Sequence, residues 1–292
     1  MKQLLWLWHF FVELILSAVR RQPPFSQSSK FLNYPNENSH WGNLGYWVTA
    51  NNKSERISDY SAAAQQLAKE LIYELPISKP ESMLVLGCGA GEEVAYWSRH
   101  FPTLRNIQAW DIDKQALAHA EKKLPNAHLY HRSAELLSTK CDDSADLNFD
   151  LVCALDCAYH FKQQNQIWAS AYTRLSSHGV LVFSDLVLAD GYLSFWDRVW
   201  LRFSSFVFSI PYENWKTQNQ YDQNLNEIGF KHIGIIPCSE HVLDGFVKFM
   251  ESEKPNHDLS KRWQLKSRIT TMLIKKLRSR KLIEYVIVQG QK

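Results

Sequence analysis

Along most of the chain the apolar positions alternate between short continuous runs and helical spacing. Met83-Leu84-Val85-Leu86 is one such run. It ends in Gly87-Cys88-Gly89-Ala90-Gly91, after which Glu92-Glu93-Val94-Ala95-Tyr96-Trp97 opens a helical pattern. The spacing predicts a fully buried strand, a tight turn and a helix. The alternation continues with strands at 106–111, 127–131, 149–155 and 179–185 and helices at 114–123 and 164–175. Further on, the pattern predicts a helix at 221–228 closed by Gly229, then strands at 231–236 and 283–289. Seven strands interleaved with helices imply right-handed βαβ units. The expected architecture is α/β: a Rossmann-like, doubly wound, mostly parallel seven-stranded sheet with helices on both faces.

Upstream of the first strand, Tyr60, Ala64, Leu67, Ala68, Leu71 and Leu75 recur at helical spacing over residues 58–75, and Pro76 and Pro80 close that helix. Before it lie a Pro/Ser/Asn-rich stretch, 22–38, and an aromatic, glycine-rich segment, 41–47. Residues 4–19 form an apolar run broken by His9, Glu13 and Ser17, with Lys2 before it and Arg20-Arg21 after. On a helix these polar residues make a narrow stripe. The run is short for a span of about 20 residues, and an arginine pair is a poor signal-peptidase context. It reads as an in-plane anchor on a membrane surface, with a tilted span or a helix packed on the protein as alternatives. Either membrane reading keeps the rest of the chain cytoplasmic. The expected organisation is an apolar amphipathic helix at 1–22, a linker and N-terminal lid at 23–80, and a core at 81–292. A helical lid is inserted in that core at about 190–220, where residues 192–208 are rich in aromatics.

Composition narrows the partners. A net charge of +3 does not imply nucleic acid, and five cysteines without paired spacing read as free thiols rather than a metal site. Eleven Trp, twelve Tyr and fifteen Phe favour a greasy pocket or a membrane surface over a polar-substrate site. The run 261–281 holds nine Lys and Arg and no acid. It reads either as a solvated helix face or as a surface for anionic lipid.

The glycine turn lets the backbone approach a ligand closely. In a dinucleotide fingerprint the third glycine would fall at position 92, but Glu92 and Glu93 stand there and would repel a pyrophosphate. An adenosine ligand without phosphates fits better. Asp111, at the end of the second strand, can accept from both ribose hydroxyls, while Asp113 suits a helix cap. Asp156 and His160 stand four apart after the fourth strand, at the carboxyl edge where such sheets bind ligands, and a histidine there can act as a general base. Asp185, at the end of the fifth strand, could orient His160 or accept from a substrate.

The glycine turn resembles motif I of the class I S-adenosylmethionine-dependent methyltransferases. Residues 41–47 (WGNLGYW), 157–161, Ser184-Asp185, 210–214 and 221–230, taken in order, resemble the small-molecule group that includes macrolide sugar O-methyltransferases and the tocopherol and sterol methyltransferases. The resemblance covers about residues 36–292 and implies S-adenosylmethionine held by Gly87, Cys88, Gly89, Gly91 and Asp111, with Asp156 beside it. It places Ser133 and Ala134 on the adenine side, with Ser133 replacing the Asp that relatives carry. It also implies His160 and Asp185 as a deprotonating pair, Tyr46 as a lid tyrosine, and no metal. The expected reaction is methyl transfer to a hydrophobic small molecule or lipid, on oxygen by preference. A C- or N-methyltransferase and a non-catalytic binding protein are the alternatives.

Overall fold

The computed structural model describes residues 32–33, 38–48, 56–138, 148–252 and 261–292. The apolar run 4–19 lies outside the described residues. Among those described, no helix is long and apolar enough to cross a membrane.

The sheet has seven strands in the order β3-β2-β1-β4-β5-β7-β6. β1 (Ser82–Leu86) is central, and Met83 to Leu86 are fully buried, as a continuous apolar run at a sheet centre requires. It pairs in parallel with β2 (Asn106–Asp111) and β4 (Phe149–Ala154), and the parallel ladder continues outward to β3 (His128–His131) and β5 (Leu175–Leu188). β7 (Ile283–Gln291) runs antiparallel to β5 and to β6 (Lys231–Pro237). This is the mostly parallel, doubly wound sheet expected, with one buried apolar cluster on each face.

Local chemistry sets the helix ends. α1 (Tyr60–Leu71) is capped by the Asp59 carboxylate. α2 (Glu92–His100) starts straight from the glycine turn, and α3 (Lys114–Lys123) is capped by Asp113, which accepts from Gln115 and Ala116 N–H. α4 (Gln164–Arg174) precedes β5, and α5 (Phe195–Phe208) follows it with a capping box between Ser194 and Asp197. α6 begins at Gln218 rather than 221, because Thr217 and Gln220 form a second capping box that the apolar periodicity does not display.

Two helices follow β6 that the sequence pattern does not indicate. α7 (Ser239–Ser252) and α8 (Lys261–Ser279) are inserted between β6 and β7. Because β7 is antiparallel to both its neighbours, β6 runs in the direction of β5 and delivers these helices to the carboxyl edge of the sheet. There α7 meets the N-terminal segment: Trp47 N–H donates to the His241 carbonyl, and the Trp47 ring stacks on Phe249 at 4.6 Å. Trp41, Tyr46, Trp47 and α1 share one buried cluster with Met83 and Val85 of β1. Three cations of the basic run 261–281 find acids on other helices. Lys275 pairs with Glu251 and Arg278 with Asp244, both on α7, and Arg280 pairs with Asp197 on α5.

Candidate active site

Each glycine of the turn has its own constraint. At Gly87, with φ +75°, an added Cβ would lie 2.6 Å from Cys157 Sγ. At Gly89 a Cβ would meet nothing within 4 Å, so the backbone there faces open space. Gly91 also has positive φ, and a Cβ on it would meet Leu124 across the α2–α3 packing. Cys88 turns its side chain into the core, and burial pushes its thiol pKa well up.

A cavity of about 130 Å³ opens beside this turn, lined by Gly87, Gly89 and Glu93 on one side, Asp156 and Cys157 on another, and Asn43 of the N-terminal segment. Asp111 tightens the turn from β2. Its carboxylate accepts from Gly89 N–H at 2.7 Å and from Asp113 N–H at 2.8 Å, while burial raises its pKa. A larger cavity of about 480 Å³ lies between Trp47, His241 and Phe249 and touches no residue of the glycine turn, which makes the smaller one the candidate site.

Asp156 holds the centre of a network. It sits at φ +55°, a strained position that puts its carboxylate between three donors: Leu44 N–H at 2.7 Å, Tyr285 OH at 2.8 Å and Tyr159 OH at 3.0 Å. Ser184 Oγ accepts from Asp156 N–H and also bonds Tyr285 OH. Burial outweighs these donors and pushes the Asp156 pKa up to about 7, and it pushes Glu93 up to about 8. Glu92 differs: it accepts from His40 N–H at 2.8 Å and pairs with Lys123.

His160 ends the 3-10 turn Ala158–His160. Its Nδ1 lies 3.2 Å from the carbonyl of Ser209, the residue that caps the end of α5. The ring keeps an open face to solvent, yet the groups crowding the rest of it lower its pKa by desolvation. Asp185 is fully buried, and its hydrogen bonds run elsewhere: to Leu186 N–H at 2.6 Å, Gln164 Nε2 at 2.9 Å and Tyr221 OH. Burial raises its pKa to about 6. The link to His160 is indirect, since Gln164 Nε2 also donates to the Ala158 carbonyl at 2.6 Å, in the turn that carries His160. Ser133 gives its hydroxyl to Glu135, and Ala134 is buried at the start of the next 3-10 turn. Tyr46 does not line the small cavity. Its ring lies 5.0 Å from that of His241 and its N–H donates to the Ala63 carbonyl.

Sequence reasoning missed Leu44, whose contribution is a backbone N–H, and Gln164 and Tyr285, whose partners lie far away in sequence. Glu93 was legible only as a charge that disfavours a pyrophosphate. These residues fit a cationic adenosine ligand. The open backbone at Gly89 admits it, Asp111 stands at the strand end, and two carboxyls held partly protonated by burial would ionise beside a positive charge.

The comparisons agree with this chemistry. Residues 84–181 match a methyltransferase domain family. Erythromycin 3''-O-methyltransferase of Saccharopolyspora erythraea is 25% identical over 219 residues, covering 71% of this chain and 67% of that protein. Among solved structures, a cyclopropane synthase of Mycobacterium tuberculosis superposes with a TM-score of 0.69 at 14% identity, over 94% of this chain and all of that one. A mycolic acid cyclopropane synthase complexed with S-adenosylhomocysteine gives 0.71 at 13% identity, over 95% and 98% of the two chains. At such identities the structures establish the fold, and the matched domain supplies the activity. The chain carries a methyltransferase domain at residues 84–181, and in sequence and fold it is similar to class I S-adenosylmethionine-dependent methyltransferases.

Proposed function

We propose that this enzyme methylates an oxygen of a hydrophobic small molecule or lipid, with His160 as the general base. The contact between His160 and the Ser209 carbonyl carries the reading. A carbonyl only accepts, so it fixes the proton on Nδ1 and leaves the Nε2 lone pair free. The lowered pKa keeps that ring neutral near pH 7, ready to take a hydroxyl proton. Bound in the cavity, S-adenosylmethionine supplies a methyl already activated by its sulfonium charge. The chain's own residues then hold, align and deprotonate. In this reading Gly87, Gly89, Gly91 and Asp111 hold the cofactor, and Ser133 and Ala134 lie on its adenine side. Asp156 ties the N-terminal segment to the cavity through Leu44 N–H. Asp185 is a positioning residue that acts through Gln164 on the turn bearing His160. Tyr46 serves the lid by packing.

The preference for oxygen draws support from the relative named as a 3''-O-methyltransferase. The preference for a hydrophobic acceptor draws on the aromatic-rich lid and on the apolar run 4–19, which we take as a membrane anchor on the cytoplasmic side. Purified protein incubated with a lipid extract and methyl-labelled S-adenosylmethionine should give a labelled methyl ether or ester by mass spectrometry. Label appearing only on nitrogen or carbon, or only in water-soluble products, would overturn this reading.

A further inference from the structure

The start of α5 carries a face that the fold does not use. Tyr192, Phe195 and Trp196 are 89%, 71% and 65% exposed, Val199 is also exposed, and the Phe195 and Trp196 rings touch at 5.5 Å. Positions 195, 196 and 199 lie on one side of a helix, so this is a continuous aromatic tip rather than scattered residues. The opposite side of α5 is committed to the core through Leu201, Ser204 and Val207.

Two arginines stand beside the rings on the helix itself, while the exposed acids Asp190 and Glu213 lie on the flanking segments. Arg198 and Arg202 are exposed on α5, and among the described residues neither has a carboxylate partner. Arg202 lies over the Tyr212 ring at 5.3 Å, and Lys276, from the last turn of α8, lies over Trp200 at 5.6 Å. The acid of this helix, Asp197, is buried and answered by Arg280 and Ser194. We infer that the tip of α5, Phe195, Trp196 and Val199 with Arg198 and Arg202, docks on an anionic lipid surface. The inference deepens the membrane reading above by naming a contact made by the folded domain itself. A bilayer interface meets both demands of the face, because aromatic rings settle at headgroup depth while the arginines reach lipid phosphates. The segment 4–19 would cover the rings but offers a single acid, Glu13, to the two arginines.

The geometry also gives the tip a purpose. α5 has 14 residues, so it spans about 21 Å from the tip to Ser209, whose carbonyl holds His160. A tip seated on lipid would set the base about one helix length from the interface that a hydrophobic acceptor leaves.

Full-length protein is incubated with phosphatidylcholine vesicles, with and without phosphatidylglycerol, and bound protein is measured by flotation. The variant F195S/W196S should partition about tenfold or more weakly to vesicles containing phosphatidylglycerol. R198Q/R202Q should lose affinity several-fold on those vesicles alone, and high salt should erase that difference. Both variants alter exposed side chains, so their S-adenosylhomocysteine affinity should stay unchanged, which controls for folding. Both variants floating like the wild type would overturn the inference while leaving the anchor at 4–19 intact. Wild-type protein that fails to float on either vesicle would overturn both readings. Self-association that the variants lose, without vesicle binding, would assign the face to a second copy instead.

Discussion

Burial does opposite electrostatic work on the histidine and on the two buried carboxyls of this site. At His160 it favours the neutral ring, so the base is available to lower pH than a free imidazole would be. The acid limb of the pH–rate profile should therefore lie below about 6.5, the ordinary histidine value. His160→Ala should lower turnover by about 10²–10⁴-fold with cofactor affinity nearly unchanged, and calorimetry beside steady-state rates separates the two. At Glu93 and Asp156 burial favours the protonated acid, with pKa values near 8 and 7. Both folded-state values exceed the ordinary carboxylate range, so the folded protein binds more protons than the unfolded chain and loses stability as pH rises toward 8. A cation in the cavity reverses that penalty. Affinity for S-adenosylmethionine should thus rise between pH 6 and pH 8 more than affinity for S-adenosylhomocysteine, whose sulfur is neutral. Glu93→Gln should flatten the difference, and parallel titrations showing the same pH slope for both ligands would sink the argument.

At the scale of elements, the sheet was legible because each strand is an apolar run with little competing pattern. Met83–Leu86 needs only its own composition to declare itself a central strand. α7 was not legible, since Ser239–Ser252 follows an edge strand directly and gains its meaning from Trp47 and Tyr60, almost 200 residues away in the chain. Three cations of the basic run 261–281 are answered by acids on α5 and α7, which one-dimensional reading cannot pair. At the site, the strand, glycine turn and helix start at 83–93 followed from the apolar and glycine pattern. The route from Asp185 to His160 was not legible, because the carboxylate bonds Gln164 and Tyr221 and reaches the turn of His160 only through Gln164. That arrangement makes Gln164 the coupling between β5 and the 3-10 turn Ala158–His160. Gln164→Leu keeps most of the volume but leaves the Ala158 carbonyl and one Asp185 oxygen short of a donor. It should cost about 1–3 kcal/mol of stability in denaturant unfolding and lower turnover at least several-fold, with S-adenosylhomocysteine affinity unchanged. An unaltered turnover would show that the turn holds His160 without Gln164.

For the whole molecule, the question is whether lid and core are separate bodies. Residues 41–48, α1 and α7 bury their aromatics in the cluster that also holds Met83 and Val85, and three backbone links close the arrangement: Leu44 N–H to Asp156, Trp47 N–H to the His241 carbonyl, and His40 N–H to Glu92. None of these lid pieces has a described core of its own, so none can stay folded once the sheet opens. Thermal unfolding should accordingly appear as one transition by both near- and far-ultraviolet circular dichroism. The small cavity lies where the N-terminal segment and the sheet meet, between Asn43 on one side and Gly87 and Asp156 on the other, so a ligand bound there would stabilise both together. At one hundred times its dissociation constant, S-adenosylhomocysteine should add about 2.7 kcal/mol and raise the midpoint by about 5 °C, without splitting the transition. An early transition that the ligand does not move, followed by a later one that it does, would show instead that the lid melts as an independent unit.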